Sequence, residues 1–295
     1  MTIDERAPRQ PNRPARTFGP RPRAVRVLLA LILAIGLIGG VGPSPARPSA
    51  ALAASTHAKV VIVVGPTEGV TASYVRDANA IAKQISGYGA TVIKVYSPHA
   101  TLAALQAAAK GANLLIYLGH GTGWPNPYPR PTGRDPNKDD GFGLNTDSTN
   151  TAHKYFGEAY IAKLALTPGA IMIFNHACYS AGSSEPGKTP PKYSVAFQRA
   201  DNYASGFLKA GAKAVLATAS PPSTFIAALF RGRGTVRQAF WAMPSTFATY
   251  QHLKASVRTP GATVLQAPKP ATKYYDAITG NLGYTVTAWR ATWGK

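Results

Sequence analysis

Five short, mostly apolar runs constrain the fold of this chain more than any other feature. They are rich in β-branched residues, and each leads into a loop with small or polar residues. Continuous apolar runs of this length are typical of strands that are covered on both faces of a sheet. Their ranges are 58–64, 90–96, 112–118, 170–178 and 212–218.

Segments with helical spacing of apolar residues separate these runs, for example residues 71–86. Strands that alternate with helices predict an α/β fold of three layers, with a mostly parallel central sheet flanked by helices and right-handed crossovers. The sequence also predicts a helix over 155–166. Near the C-terminus, alternating residues over 284–289 predict a half-buried strand.

Residues 1–53 indicate a secretory signal peptide. A basic, proline-rich start precedes an apolar run at 27–41, and Ala51-Leu-Ala53 has the small residues of a cleavage site. The run is short for a membrane-spanning helix, which needs about 20 apolar residues, so cleavage is favoured over an uncleaved membrane anchor. We therefore expect a secreted or extracytoplasmic protein that contacts a membrane only if this segment is retained.

The rest of the chain is predicted to hold one α/β domain and an extension. After a linker at 54–57, the domain spans 58–230 and contains a polar insertion at 122–152, rich in Pro, Gly, Asp and Asn. Such an insertion is usually functional or mobile. Residues 231–295 form a C-terminal extension that we expect to pack on the core.

The charge of the chain gives a weaker indication of its partners. The formal net charge is +20, and residues 1–53 hold eight Arg and two acidic residues. The remainder keeps 24 Lys and Arg against 10 Asp and Glu, which favours contact with anionic cell-envelope polymers or lipid head groups. A solvated basic surface is the simpler explanation. Specific nucleic-acid binding is not expected, because no basic run with interleaved aromatic residues follows residue 54.

Cys178 is the only cysteine of the chain. An exported protein of this sequence therefore has no intramolecular disulfide, and its thiol is either buried and inert or kept for its reactivity. The cysteine ends an apolar strand, and small or polar residues follow it through Gly182. A strand that ends in such a loop is well placed to present a thiol.

His120 ends the preceding core strand, between Gly119 and Gly121. Because ligands bind beyond the carboxyl ends of parallel strands, Cys178 and His120 share one crevice if the two strands are neighbours. An imidazole activates a thiol by taking its proton or by lowering its pKa. The N–H groups of Gly121 and Cys178 are candidates for binding an oxyanion. Taken alone, His120 is explained as a turn histidine and Cys178 as a buried small residue.

Together, the two strand ends resemble those of the caspase-like cysteine peptidases, a group that includes caspases, metacaspases, legumains, gingipains and clostripain. The resemblance is carried by Leu114-Ile-Tyr-Leu-Gly-His-Gly121 and Ile171-Met-Ile-Phe-Asn-His-Ala-Cys178. It implies a caspase-like three-layer fold, with Cys178 as the nucleophile and His120 as the general acid/base. It also implies an oxyanion hole formed by the backbone N–H groups of Gly121 and Cys178.

One position departs from the pattern of these relatives. Metacaspases and legumains carry an acidic residue two positions before the cysteine, which helps to form the pocket for the residue before the cleaved bond. Here that residue is His176, which strand alternation places on the side of Cys178 as a second imidazole, a pocket wall or a packed core histidine. Glu68, in the loop after the first strand, is a substitute candidate for the pocket acid. The alternative for Glu68 is an exposed loop charge.

No cofactor is expected from the sequence. Asp135, Asn137 and Asp139 begin like a calcium loop, but the sixth position lacks glycine and Thr146 replaces the required glutamate, so a solvated acidic turn is favoured over calcium. His99 and His153 lack partners at the spacing of zinc ligands. Phosphate-loop and dinucleotide motifs are also missing.

These observations favour an exported cysteine endopeptidase or related hydrolase that acts on peptide or protein substrates through a His–Cys dyad. The alternative is a non-catalytic caspase-like module that binds envelope polymers or another protein. In that case Cys178 is buried.

Overall fold

The chain is built around one large sheet. The computed structural model describes residues 57–128, 132–133, 135–270 and 272–294. Within them, the strands are β1 Lys59–Val64, β2 Thr91–Tyr96, β3 Leu114–Leu118, β4 Gly121–Thr122, β5 Gly141–Asn145, β6 His153–Phe156, β7 Ile171–Asn175, β8 Ala214–Thr218, β9 His252–Ala255, β10 Thr263–Gln266 and β11 Asp276–Gly280. The helices are α1 Thr71–Ser86, α2 Leu102–Ala109, α3 Pro136–Asp139, α4 Glu158–Ile161, α5 Tyr193–Lys209, α6 Ser223–Arg231, α7 Val236–Trp241 and α8 Val286–Arg290.

The large sheet has eight strands in the order β2-β1-β3-β7-β8-β11-β10-β9. The first five are parallel, and β11, β10 and β9 are each antiparallel to the preceding strand in this order. The five runs of the sequence pattern form the parallel part. The prediction of an α/β fold with a mostly parallel central sheet and flanking helices is therefore confirmed.

Helices cover both faces of this sheet. Val61 and Val63 of β1 join one core cluster with α2 and α5, whereas Val60, Ile62 and Val64 join the other with α1, α6, α7 and α8. Burying one such side chain stabilises the fold by about 1.5–3 kcal/mol relative to exposing it. Burial on both faces explains why the runs of β1, β3, β7 and β8 are continuously apolar, whereas the edge strand β2 is largely unburied and includes the polar residues Thr91 and Lys94.

The polar insertion at 122–152 contains more regular structure than its composition predicts. Strands β4, β5 and β6 form a separate antiparallel sheet, in which Phe142 and Leu144 are buried. The helix predicted over 155–166 is wrong except at α4, because β6 covers residues 153–156 and residues 162–166 are not helical. Pairing with β5 is the tertiary contact that overrides the local helical pattern.

The described residues after 231 complete the central sheet, since β11 pairs directly with β8. The strand predicted over 284–289 is wrong, because the segment forms α8, which Thr285 caps with its side chain. Val286 and Trp289 are both buried. Their separation of three residues is a helical spacing. The alternation of polar and apolar residues over 284–289 predicted a strand instead.

The predictions for the N-terminus concern residues outside the described part. These are the signal peptide at 1–53, its apolar run at 27–41 and most of the linker at 54–57. Among the residues that the structure describes, no helix has the length and apolar character needed to cross a membrane.

Candidate active site

A crevice of about 370 Å³ opens at the carboxyl ends of the parallel strands. Its walls come from the segments after β3, β7 and β8 and from the segment before β11, with one tyrosine from α1. This is the edge at which α/β sheets bind ligands. The lining includes Tyr74, His120, His176, Cys178, Glu185 and Tyr275.

The topology brings His120 and Cys178 to the same crevice. Strands β3 and β7 are neighbours, with Leu118 opposite Asn175, so the turns that follow them lie side by side. Gly121 approaches the backbone of Cys178 closely. A Cβ atom on Gly121 would lie 2.4 Å from the Cys178 carbonyl oxygen and 3.3 Å from its nitrogen, so only glycine fits.

The turn that carries Cys178 has a strained backbone. His176 and Tyr179 have φ angles of 65° and 69°, in the left-handed region that costs a non-glycine residue on the order of 1–3 kcal/mol. The His176 N–H donates to the Thr218 carbonyl at 3.0 Å, and the Tyr179 N–H donates to the Ser183 carbonyl at 2.9 Å. These bonds hold the turn in one conformation and so fix the position of the cysteine.

The Cys178 thiol is partly buried and carries its proton at neutral pH. Burial, and after it the Glu185 carboxylate, raise the pKa of Cys178 to about 11, while a hydrogen bond from its own N–H lowers the pKa. At pH 7 the thiolate fraction is then on the order of one in ten thousand. Attack by this sulfur therefore requires a base that takes the proton.

His120 has the properties of that base. Burial and the neighbouring His153 lower the pKa of His120, while Glu68 and Glu185 oppose the shift. The ring is therefore mainly neutral at pH 7 and can accept a proton. Its backbone is fixed, because the His120 carbonyl accepts the Gly143 N–H at 3.0 Å.

No sequence pattern predicts that His153 is a neighbour of His120. The two ring centroids are 5.2 Å apart, and His153 Nδ1 lies 3.3 Å from the Thr151 carbonyl oxygen. Gly143 lies against both residues: a Cβ there would be in ordinary van der Waals contact with the His153 ring at 3.4 Å and with His120 Cβ at 3.5 Å. The pairing of β6 with β5 brings His153 to this position.

Two backbone N–H groups belong to the residues at which the segments after β3 and β7 meet, Gly121 and Cys178. Because the Gly143 N–H donates to the His120 carbonyl, Gly121 and Phe142 form a non-hydrogen-bonded pair of the β4–β5 ladder. The ladder therefore leaves the Gly121 N–H unused. The Cys178 N–H acts on its own sulfur and lowers the pKa of the thiol. Both groups are donors of the kind that stabilises an oxyanion.

The two residues expected to form a substrate pocket differ in their placement. His176 lines the crevice, but through the turn and not through strand alternation, because β7 ends at Asn175. Its ring stacks on that of Tyr74 at 5.5 Å, and burial lowers the pKa of His176. Glu68 is exposed and is not among the crevice-lining residues, although it acts electrostatically on His120.

The carboxylate that does line the crevice belongs to Glu185. The Tyr179 hydroxyl donates to Glu185 Oε2 at 2.5 Å. Glu185 lies in a loop rich in Gly, Pro and Ser. Such a composition predicts a loop but does not indicate which of its side chains faces a site.

The residues of the calcium hypothesis lie at the start of α3. Asp135 Oδ1 accepts the Asn137 N–H at 2.9 Å, and Asn137 Oδ1 accepts from Arg258 at 2.8 Å. Asp139 Oδ2 accepts the Asp135 N–H at 3.0 Å. In the described ranges, no group of three or more His, Cys, Asp and Glu side chains is arranged to hold a metal ion.

Comparison with known proteins adds no relative to these observations. The sequence matches no protein-family model and no curated protein. The two strand-end motifs and the contacts of the crevice are therefore the features that bear on function.

Proposed function

We propose that this protein is an exported cysteine endopeptidase with a caspase-like fold, in which Cys178 and His120 form the catalytic dyad. The observation that carries the proposal is that both side chains line one crevice beyond adjacent parallel strands. The N-terminal sequence supports export. The basic charge of the remaining chain is compatible with contact to anionic envelope polymers.

Acylation begins when the neutral imidazole of His120 takes the thiol proton as the Cys178 sulfur attacks the peptide carbonyl carbon. A C–S bond forms, and the carbonyl π electrons move to the oxygen, which the N–H groups of Gly121 and Cys178 stabilise. The imidazolium then donates its proton to the amide nitrogen. The C–N bond breaks, the amine leaves and a thioester remains.

Water completes the cycle. His120, neutral again, takes a proton from a water molecule whose oxygen attacks the thioester carbonyl. The C–S bond breaks, the acid product leaves, and the imidazolium returns a proton to the Cys178 sulfur. Every proton and electron pair is supplied by the dyad, the peptide and water.

A second function has one observation in its favour. The Cys178 thiol is partly buried, and its pKa is near 11, as in a structural cysteine. A non-catalytic module that binds a protein or an envelope polymer in the same crevice would share this property. The two functions differ in whether His120 ever takes the thiol proton.

Peptide hydrolysis tests the endopeptidase proposal. The unmodified protein and the variants Cys178→Ala and His120→Ala are incubated with a broad peptide mixture, and new peptide termini are identified by mass spectrometry. We expect cleavage by the unmodified protein and a loss of about a thousandfold or more in each variant, because nucleophile and base act as one unit. A thiol-directed acyl probe should label the unmodified protein alone.

His99→Ala is the matched control, since His99 is an exposed histidine that does not line the crevice. It should retain full activity, and circular dichroism should show that all variants are folded. If no peptide is cleaved and Cys178 of the folded protein also resists small alkylating reagents, the binding module replaces the endopeptidase. Labelling at neutral pH that is unchanged by His120→Ala excludes the dyad.

A further inference from the structure

The charge of the crevice is opposite to that of the chain. The sequence carries a formal charge of +20, yet no Lys or Arg is among the described residues that line the crevice. Glu185 is the single carboxylate among those lining residues. His120 and His176 add little positive charge at pH 7, because burial lowers the pKa of each ring. Such a crevice attracts cations and repels anions.

A fixed tyrosine holds the Glu185 carboxylate in place. The Tyr179 hydroxyl donates to Glu185 Oε2, and the Tyr179 ring is buried beneath the Arg199 guanidinium, 4.7 Å from the ring centroid. Gly123 packs on the same side chain so closely that a Cβ there would lie 2.5 Å from Tyr179 Cβ. The carboxylate is therefore positioned before a ligand arrives, which lowers the entropic cost of binding.

Arg199 connects the segments around the crevice and forms no ion pair with Glu185, although the Glu185 charge acts on Arg199 electrostatically. Its guanidinium donates to the carbonyl oxygens of Pro125 and Gly182, at 2.7 and 2.9 Å, and to Ser184 Oγ at 2.9 Å. The ion pairs between described residues do not include Arg199 and Glu185. Glu185 Oε1 likewise makes no hydrogen bond within the described part of the chain and is available to a ligand.

The neighbouring walls suit the stem of a long basic side chain. Tyr74, Tyr274, Tyr275 and Ala219 line the crevice. Lys and Arg side chains bury their methylene groups against apolar and aromatic surface and keep the charged end at a polar group. Aromatic faces also attract the cation directly.

We propose that Glu185 binds the cationic side chain of a Lys or Arg residue that precedes the cleaved peptide bond. The inference rests on the proposed function for the direction of the peptide, since the same crevice presents Cys178 to the carbonyl of that residue. Glu185 follows the cysteine by seven positions. The acid of metacaspases and legumains lies two positions before the cysteine, where this chain has His176. Glu185 therefore lies at a different position.

A pair of matched peptides tests this inference without any catalytic step. The inactive variant Cys178→Ala binds a fluorescent peptide with arginine before the scissile bond, or the same peptide with citrulline, which is nearly isosteric and neutral. Fluorescence anisotropy gives the two dissociation constants. We expect arginine to bind about tenfold more tightly, in line with one charge-assisted contact. The preference should shrink as salt is raised to about 0.5 M.

Two carboxylate variants locate the charge. In Cys178→Ala/Glu185→Gln the preference for arginine should disappear, because the amide keeps the shape and the bond to Tyr179 but loses the charge. In Cys178→Ala/Glu68→Gln it should persist, since Glu68 lies outside the crevice lining. Equal binding of both peptides, or a loss of preference in the Glu68 variant alone, overturns the inference. If the Glu185 variant does not fold, the salt dependence in Cys178→Ala decides.

Hydrolysis of the same peptides by the unmodified protein separates this inference from the proposed function. Discrimination in binding without any cleavage removes the endopeptidase and leaves a cation-binding crevice. Cleavage of many peptides without regard to charge, together with equal binding, removes the role of Glu185 and leaves the endopeptidase.

Discussion

At the scale of single residues, the protonation states of Cys178 and His120 define the chemistry that the crevice can perform. Both groups are mainly uncharged at pH 7, the thiol because burial raises its pKa and the imidazole because burial lowers its pKa. The proposed attack therefore starts from a neutral thiol and a neutral imidazole, and His120 must take the thiol proton. Glu185 opposes thiolate formation, so a cation bound to Glu185 would lower the pKa of Cys178. In the proposed enzyme, binding of a cationic substrate to Glu185 and activation of Cys178 are therefore coupled.

Alkylation kinetics measure the thiol directly. We expect the rate of Cys178 alkylation by iodoacetamide to rise about tenfold per pH unit from pH 7, with no plateau up to about pH 10, because the thiolate reacts and the pKa is about 11. Glu185→Gln should increase the rate at about pH 8, because it removes a charge that raises the pKa. Intact-protein mass spectrometry follows the reaction.

Glu68→Gln is the control for this experiment, since Glu68 is not among the groups that shift the pKa of Cys178. Its alkylation profile should match that of the unmodified protein. A midpoint near the ordinary thiol value of about 8.5 would contradict the burial argument.

The residues of the site differ in how far the sequence can predict them. His120 and Cys178 lie just beyond the ends of apolar strands, so the continuous apolar runs and the parallel topology suffice to bring them to one edge. Glu185 and His153 could not be predicted in this way. Glu185 is positioned by its bond to Tyr179, and His153 by the pairing of β6 with β5. Both contacts join segments that carry no local signal for each other.

At the scale of elements, the site is made by two turns that touch. The segment after β3 leads to Gly121, the first residue of β4, and the turn after β7 contains Cys178, followed by Tyr179 at a positive φ. Their contact leaves no space for a side chain, because a Cβ on Gly121 would lie 2.4 Å from both the Cys178 carbonyl oxygen and the Tyr203 hydroxyl. The spacing between the proposed oxyanion donors therefore depends on a glycine.

Gly121→Ala tests this contact. The new methyl group must displace the Cys178 turn or the Tyr203 side chain, which we expect to lower the free energy of unfolding by about 1–3 kcal/mol. It should also reduce labelling of Cys178 by an acyl probe. Urea denaturation and probe kinetics measure the two effects.

Gly69→Ala is the matched control, because a Cβ on Gly69 would meet no atom within 4 Å. It should change neither quantity. A Gly121→Ala variant with unchanged stability and unchanged labelling would show that the two turns do not need to touch.

Long elements were easier to predict than short ones. The inner parallel strands β1, β3, β7 and β8 follow from continuous apolar runs, which burial on two faces requires. The predictions were wrong for the strand at 153–156 and for the helix Val286–Arg290, because β6 depends on its pairing with β5 and α8 on a contact with a distant residue. Trp289, for example, donates its Nε1–H to the carbonyl of Asn113, which is 176 positions away.

At the scale of the whole molecule, the C-terminal helix and the crevice lie at opposite ends of the central sheet. Asn113 immediately precedes β3, so it lies at the amino end of that strand. Trp289 Nε1 donates to the Asn113 carbonyl at 2.9 Å, and the Asn113 side-chain amide donates to the Thr292 carbonyl at 3.1 Å. The carboxyl end of β3 leads instead to His120. Contacts at the amino end can therefore support stability without touching the chemistry.

Trp289→Ala tests this separation. Trp289 is fully buried, and its ring packs on Phe230 and Trp293, so its removal should lower the free energy of unfolding by about 3–5 kcal/mol. Tyr250→Ala, which truncates a side chain that is 48% exposed, should cost little by the same urea titration. At temperatures where Trp289→Ala is folded, kcat/KM and the alkylation rate of Cys178 should equal those of the unmodified protein. A folded variant with altered Cys178 kinetics would show instead that the C-terminal helix and the crevice are coupled through the sheet.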